Sequence, residues 1–153
     1  MDDRVNDVAA AVESAVDHLV SVLDAARLAQ TPSVPPAQLR VLTIVLGNQH
    51  TNMSRLAEAL DVVPSSASRL CDRLEATGLL RRVPDPRDRR EVRLMLTPAA
   101  RKLLAGVREA RRRALADVLD RMPEPARQEL VRALEAFAEA AEPAEEETGL
   151  RTA

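Results

Sequence analysis

The sequence contains no Trp and no Tyr, and its one aromatic residue is Phe137. Platforms that stack unpaired bases are therefore missing, which argues against recognition of single-stranded nucleic acid. A single cysteine, Cys71, excludes an internal disulfide. With only His18 and His50 beside it, 32 positions apart, the usual Cys/His zinc cage cannot be assembled. No metal and no cofactor are expected. No uncharged apolar run reaches the roughly 18 residues of a membrane span, and the start MDDRVNDV has neither a basic leader nor an apolar signal core. The expectation is a cytoplasmic protein with no membrane partner. Catalytic pairings are lacking too: the serines that cluster at Ser65, Ser66 and Ser68 have no neighbouring histidine, and neither has Cys71. An enzyme is not expected.

What is present is apolar mass and sorted charge. In 153 residues there are 21 Leu, 16 Val, one Ile and one Phe, enough to fold one compact domain or one elongated protomer. The formal net charge of −2 hides a strong local imbalance. Residues 1–52 sum to −3, 53–68 to −1, 69–113 to +8 and 114–153 to −6. A basic centre between acidic ends is the distribution expected of a chain with one surface facing a polyanion. Arginine-bearing helix faces that merely cluster in sequence would give the same sums, so local architecture has to decide.

Val5, Val8, Val12, Val16, Leu19 and Leu23 recur at steps of three and four, which predicts one long amphipathic helix over residues 4–29. Pro35 and Pro36 open a second helix carrying Leu39, Leu42, Val45 and Leu46, with Gly47 and Asn48 as a left-handed stop. Asn52 is placed to cap a third helix holding Leu56, Ala57 and Leu60. After a tight turn at Asp61 and Val62, Pro64 starts a fourth helix with Ala67, Leu70, Cys71 and Leu74 inward, ended by Gly78. The period then changes to two. Leu80 to Val83 and Val92 to Leu96 form a β-ribbon around the basic tip Pro84-Asp85-Pro86-Arg87-Asp88-Arg89-Arg90. Thr97-Pro98 begins a long helix with Leu103, Leu104, Val107, Leu115, Val118 and Leu119. Pro123 to Pro125 separates it from a last helix bearing Leu130, Leu134, Phe137 and Ala141. Residues 142–153 form an acidic tail expected to be disordered.

Short helix, tight turn, short helix and hairpin is the outline of a winged helix-turn-helix, whose second helix enters the DNA major groove. The fold expected is mainly α with a small β-hairpin wing: an N-terminal dimerisation helix over 1–30, the winged unit over 31–98 and C-terminal dimerisation helices over 99–141. The face left by the apolar stripe of the reading helix offers Ser65, Ser66, Ser68, Arg69, Asp72 and Arg73. Arg69 and Arg73, at i and i+4, reach guanine edges or phosphates, and the hydroxyls near the helix start reach phosphates or bases. At the tip, Arg87, Arg89 and Arg90 suit phosphate or minor-groove contact, with Asp85 and Asp88 orienting an arginine. The stripes Val5 to Leu23 and Leu103 to Leu119 are too long for so small a unit to cover. They call for a second copy, or else for an intramolecular hairpin of the two. Arg101, Lys102, Arg108 and Arg111 to Arg113 spread around their helix and read as solvated.

Leu56-Ala57 through Leu60, Ser65 to Leu74, Gly78-Leu79-Leu80, Asp85 to Arg90 and Leu96-Thr97 together resemble the MarR family of bacterial transcription regulators, over residues 35–98 by motif. The resemblance implies a homodimer with one winged helix-turn-helix per protomer on a pseudo-palindromic operator of double-stranded DNA, most often as a repressor. Carried onto this chain, it places Ser65, Ser66, Ser68, Arg69 and Arg73 at the major groove, Arg90 as the wing arginine supported by Asp88, and Arg89 beside it. Two positions depart from the pattern: Asp61 stands where Gly is common, and Val63, which cannot cap, stands where Ser or Thr is common. Fraying at the start of the reading helix is the expected result. The resemblance also implies release by a small-molecule effector bound between the dimerisation helices and the reading unit, for which His18, Arg27 and His50 are the candidate polar contacts. Two rival readings remain. One is a winged-helix module that binds protein and no DNA. The other is an oxidation-sensing regulator in which Arg69 and Arg73 acidify Cys71, although the cysteine of the first helix found in peroxide-sensing members is absent.

Overall fold

The structure, a computed structural model, describes residues 3–31, 33–48, 50–86 and 91–141. Its elements run α1 (Asp3–Gln30), α2 (Pro36–Gly47), α3 (Met53–Leu60), α4 (Pro64–Ala76), β1 (Leu80–Pro84), β2 (Val92–Leu96), α5 (Pro98–Leu119) and α6 (Glu124–Ala141). The order is that of a winged helix-turn-helix with long helices before and after it. Among the described residues no helix is long and apolar enough to cross a membrane.

Local chemistry sets most boundaries. Pro36 stands at the first position of α2, where a missing N–H costs nothing, and Asn52 caps α3 by accepting from the Arg55 amide at 2.9 Å. The turn between α3 and α4 rests on Asp61, whose left-handed backbone (φ 55°, ψ 49°) lets its own N–H and that of Val62 close on the carbonyls of Glu58 and Ala57. Val63 provides no side-chain cap, yet α4 is helical from Pro64, with Ser66 and Ala67 donating to the Val63 carbonyl. Gly78, at φ 72°, ends that helix, and Leu79 closes back on the Leu74 carbonyl at 2.8 Å. Thr97 accepts from the Ala100 amide at 3.2 Å and so caps α5.

One expected stop takes another form. Asn48 is extended (φ −130°, ψ 107°) rather than left-handed, and Gly47 has no positive φ. The Asn48 side-chain amide donates to the Ile44 carbonyl at 3.0 Å, which satisfies a terminal acceptor of α2 without a backbone reversal.

The chain divides into two compact units, Met1–Leu115 and Ala116–Ala153. In the first, the core gathers Leu39, Val41, Leu42 and Val45 of α2, Leu56, Ala57 and Leu60 of α3, Ala67, Cys71 and Leu74 of α4, Leu80, Leu94 and Leu96 of the hairpin, and Ala100, Leu104 and Val107 of α5. The strands pair antiparallel with Leu80 opposite Leu96 and Arg82 opposite Leu94. The segment before α3 joins them: Leu94 donates to the Thr51 carbonyl at 2.9 Å, and Asn52 bridges to Arg93. Thr51 is itself buried, its hydroxyl held by the Asn48 carbonyl at 2.9 Å. Thus the first half of α5 is packed into this unit. The stripe of α1 is not covered, with Val5, Val8, Val12, Val16, Leu19 and Val20 all exposed, so no intramolecular hairpin hides it. In the second unit, a turn in which Arg127 donates to the Met122 carbonyl at 3.0 Å starts α6, whose Leu130, Val131, Leu134 and Phe137 are exposed.

Two capping variants test this account by urea unfolding. Asn52→Ala removes the α3 cap and is expected to cost about 1 kcal/mol, whereas Val63→Ser adds a cap to α4 at an exposed position and is expected to gain roughly 0.5–1 kcal/mol. Leu56→Ala, at a fully buried site, is expected to cost about 2–5 kcal/mol.

Candidate nucleic-acid interface

The reading helix is divided along its length. Its inward face, Ala67, Cys71 and Leu74, is fully buried. Its outward face presents Ser65, Arg69, Asp72 and Arg73 to solvent, with Ser66 and Ser68 half-buried at its edge. Among the described residues no ion pair engages Arg69 or Arg73, so both guanidinium groups are available to an anion. The first turn, without a side-chain cap, adds the Ser65 amide and the positive end of the helix dipole.

Asp72 and Ser68 are differently engaged. Arg82 reaches across from β1 and places Nη2 2.8 Å from Asp72 Oδ1 and Nη1 2.6 Å from Glu75 Oε2. The same Nη2 donates to the Ser68 carbonyl at 3.3 Å and its hydroxyl at 3.4 Å. Glu75 Oε1 also accepts the backbone N–H of Arg82 at 3.1 Å. The Arg82 backbone N–H, then its guanidinium, hold the Glu75 carboxyl below its ordinary 4.5. A carboxylate depressed in the folded state contributes stability above that ordinary value and loses it as the pH falls below it, so the contact is complete at neutral pH.

The hairpin closes with Asp85 donating its amide to the Glu91 carbonyl at 2.9 Å, and the Asn52 side chain donates to Glu91 Oε2 at 3.2 Å. The wing-tip assignments Arg87, Asp88, Arg89 and Arg90, like the tail over 142–153, lie outside the described residues.

The comparisons with known proteins follow the same outline. Residues 33–91 match the family model described as "MarR family". Over 91% of this chain and 95% of the other, the structure of RV1404 from Mycobacterium tuberculosis superposes with a TM-score of 0.83 at 33% identity. The chain belongs to the MarR family. The HTH-type transcriptional repressor MdtR of Bacillus subtilis (strain 168) is 39% identical over 64 residues, 42% of this chain and 41% of that protein. The transcriptional repressor CouR, solved bound to a 23-mer DNA duplex, is 27% identical with a TM-score of 0.58, over 84% of this chain and 89% of that one. This MarR-family chain spans less than two thirds of the length of the curated relatives it matches. Those relatives are described as transcriptional regulators, not as enzymes.

The remaining sequence candidates have local surroundings of their own. His18 is exposed, its Nδ1 2.7 Å from the Ser14 carbonyl of its own helix, and His50 is exposed. Arg27 is buried and paired with Asp24 at 3.4 Å. None of the three lines the cavity of about 370 Å3 that lies between α1, α2 and α5. That cavity is walled by Leu23, Leu39, Leu46, Leu104, Val107 and Leu115 with Thr43, and by Arg108, Arg111 and Arg112. Among the described residues the Nε of Arg111 is buried without a partner. In the sequence these arginines read as a solvated spread, which conceals the cavity. The period that places Arg108, Arg111, Arg112 and Leu115 beside Leu104 was its one available signal. Among the described residues, no three His, Cys, Asp or Glu side chains converge on a metal position.

The expected acidification of Cys71 is not found. Burial pushes its thiol up to about 11, and the guanidinium that opposes this is Arg82 rather than Arg69 or Arg73. At pH 7 only about one thiol in ten thousand is then ionised. Micromolar peroxide is expected to leave the intact mass unchanged, and iodoacetamide to label Cys71 only after denaturation; a sulfenic acid trapped on the folded protein would restore the oxidation-sensing reading.

Proposed function

We propose that the protein is a sequence-specific, double-stranded DNA-binding transcription regulator, acting as a homodimeric repressor on a pseudo-palindromic operator. The observation that carries this is the outward face of α4, where two arginines at i and i+4, in no ion pair among the described residues, stand on a helix whose other face is locked in the core. A helix so held enters the major groove as a rigid element, with Arg69 and Arg73 at guanine edges or phosphates and Ser65, Ser66 and Ser68 toward its N-terminal half. Arg87, Arg89 and Arg90, with Asp88 in support, take the wing's contacts. CouR and MdtR, both described as repressors, and the DNA duplex bound to CouR, support the reading.

Dimerisation supplies the second half-site. The stripe Val5 to Val20 on α1 and the stripe Leu130 to Phe137 on α6 are each uncovered in the single chain. Contiguous apolar faces of that kind favour burial against a second copy. The cavity beside α5 suits a small effector with an apolar body and one anionic group, which Arg108, Arg111 and Arg112 on its wall would receive. Such a ligand alters DNA affinity to the extent that it prefers one spacing of the reading heads.

Selection from a random duplex pool, followed by binding across 50 to 200 mM salt, tests the reading. A single inverted-repeat motif should emerge, with affinity falling by about 10³-fold or more over that range. Arg69→Ala should cost about 1–3 kcal/mol on the selected duplex and relax the preference at one base pair in each half-site. Phe137→Asp, at an exposed position, should halve the sedimenting mass and weaken operator binding. A salt-insensitive complex with a protein, and no enriched duplex, would favour the interaction module.

A further inference from the structure

The reading helix carries two carboxylates, Asp72 and Glu75, on the same element as the DNA-facing arginines. Left free, they would repel phosphate and draw Arg69 or Arg73 away from it. Neither is free, because one arginine engages both. Arg82 lies on β1 two residues after Leu80, so strand alternation turns its side chain to the core-facing side of the hairpin, toward α4. There it is three-quarters covered, and its guanidinium divides between Asp72, Glu75 and the Ser68 backbone and hydroxyl. These three residues occupy successive turns of α4. The contact therefore grips the outer edge of the helix along about half its length, while Ala67, Cys71 and Leu74 grip the inner face.

We propose that Arg82 is a positioning residue for DNA reading: by its forked bonds to Asp72, Glu75 and Ser68 it fixes the rotation and pitch of α4 against the wing, so that discrimination between sequences depends on it. The assignment rests on the DNA-reading function proposed above. It follows from geometry that charge alone does not reproduce. Acceptors on three residues in different directions require the planar, multi-donor guanidinium, and a lysine ammonium at the same place keeps the charge but not the simultaneous bonds. Because sequence is read by side chains that must meet base edges, a small rotation of α4 costs specific contacts and leaves diffuse phosphate attraction nearly intact.

The test compares affinities for the duplex enriched by the wild-type protein and for a scrambled duplex of equal length, using full-length protein and measuring thermal unfolding in parallel. Arg82→Lys is expected to lose about tenfold on the enriched duplex and to change less than about threefold on the scrambled one, with an unchanged salt slope. The paired variant Asp72→Asn with Glu75→Gln approaches the contact from its exposed side and leaves the arginine in place. It is expected to bind the scrambled duplex more tightly, having lost two negative charges, while its preference for the enriched duplex again falls about tenfold. Retained discrimination in both variants overturns the assignment while leaving the DNA-reading function standing. Equal losses on both duplexes accompanied by a lowered melting temperature reduce Arg82 to a stability residue and overturn it as well. A wild-type protein that enriches no sequence overturns the function itself, and the assignment with it.

Discussion

The structure depends on how closely α4 approaches the core. Ala67 and Cys71, two small side chains one turn apart, are fully buried there with Leu74, and their size lets the helix backbone settle against the leucines of α2, α3 and the hairpin. Interiors packed at crystal-like density do not accommodate larger groups at such a seam without displacing the element. One face of α4 is thereby fixed, and the opposite face is fixed with it. The same burial that makes the helix rigid makes the Cys71 thiol unreactive, so a packing requirement and a chemical property share one cause.

Electrostatics then distinguish the two edges of that helix. Toward the wing, Asp72 and Glu75 are held by Arg82; toward solvent, Arg69 and Arg73 have no such partners among the described residues. The absence of a cap at Val63 belongs to the same picture. A serine hydroxyl there would accept an amide of the first turn; with valine, Ser66 and Ala67 donate to the Val63 carbonyl, Pro64 has no N–H, and among the described residues the Ser65 amide alone is left to an external acceptor. What is lost in helix stability at that end is thus available to a ligand. The concentration of positive charge between residues 69 and 113 acts at longer range, drawing a polyanion to this unit while the acidic flanks oppose indiscriminate attachment elsewhere.

Signals local to the chain were the most legible ones. Helical and strand periods located the elements to within a few residues, and Asn52, Asp61, Gly78 and Thr97 each announced a terminus because the chemistry of a cap or a reversal is confined to three or four neighbours. Asn48 shows the limit of that logic: an asparagine after a glycine suits a left-handed stop, but its side chain satisfied a helix carbonyl directly and the backbone had no need to turn. Partners distant in sequence were less legible. Arg82 read as one of several basic residues near the wing, since its role appears only when β1 lies beside α4. Ser68 read as an outward hydroxyl and stands half-buried beneath that arginine. The histidines and Arg27 share only their polarity, and nothing in one dimension reveals that none of them lines the cavity that the arginines of α5 border.

Chemical probing of the duplex decides the central claim that the outer face of α4 enters the major groove once per subunit. Methylation protection by dimethyl sulfate, which reports guanine N7 in the major groove and adenine N3 in the minor groove, should show two patches of protected guanine N7 separated by about one helical turn on the selected duplex. Protection confined to adenine N3, or a single guanine patch at saturating protein, would contradict it.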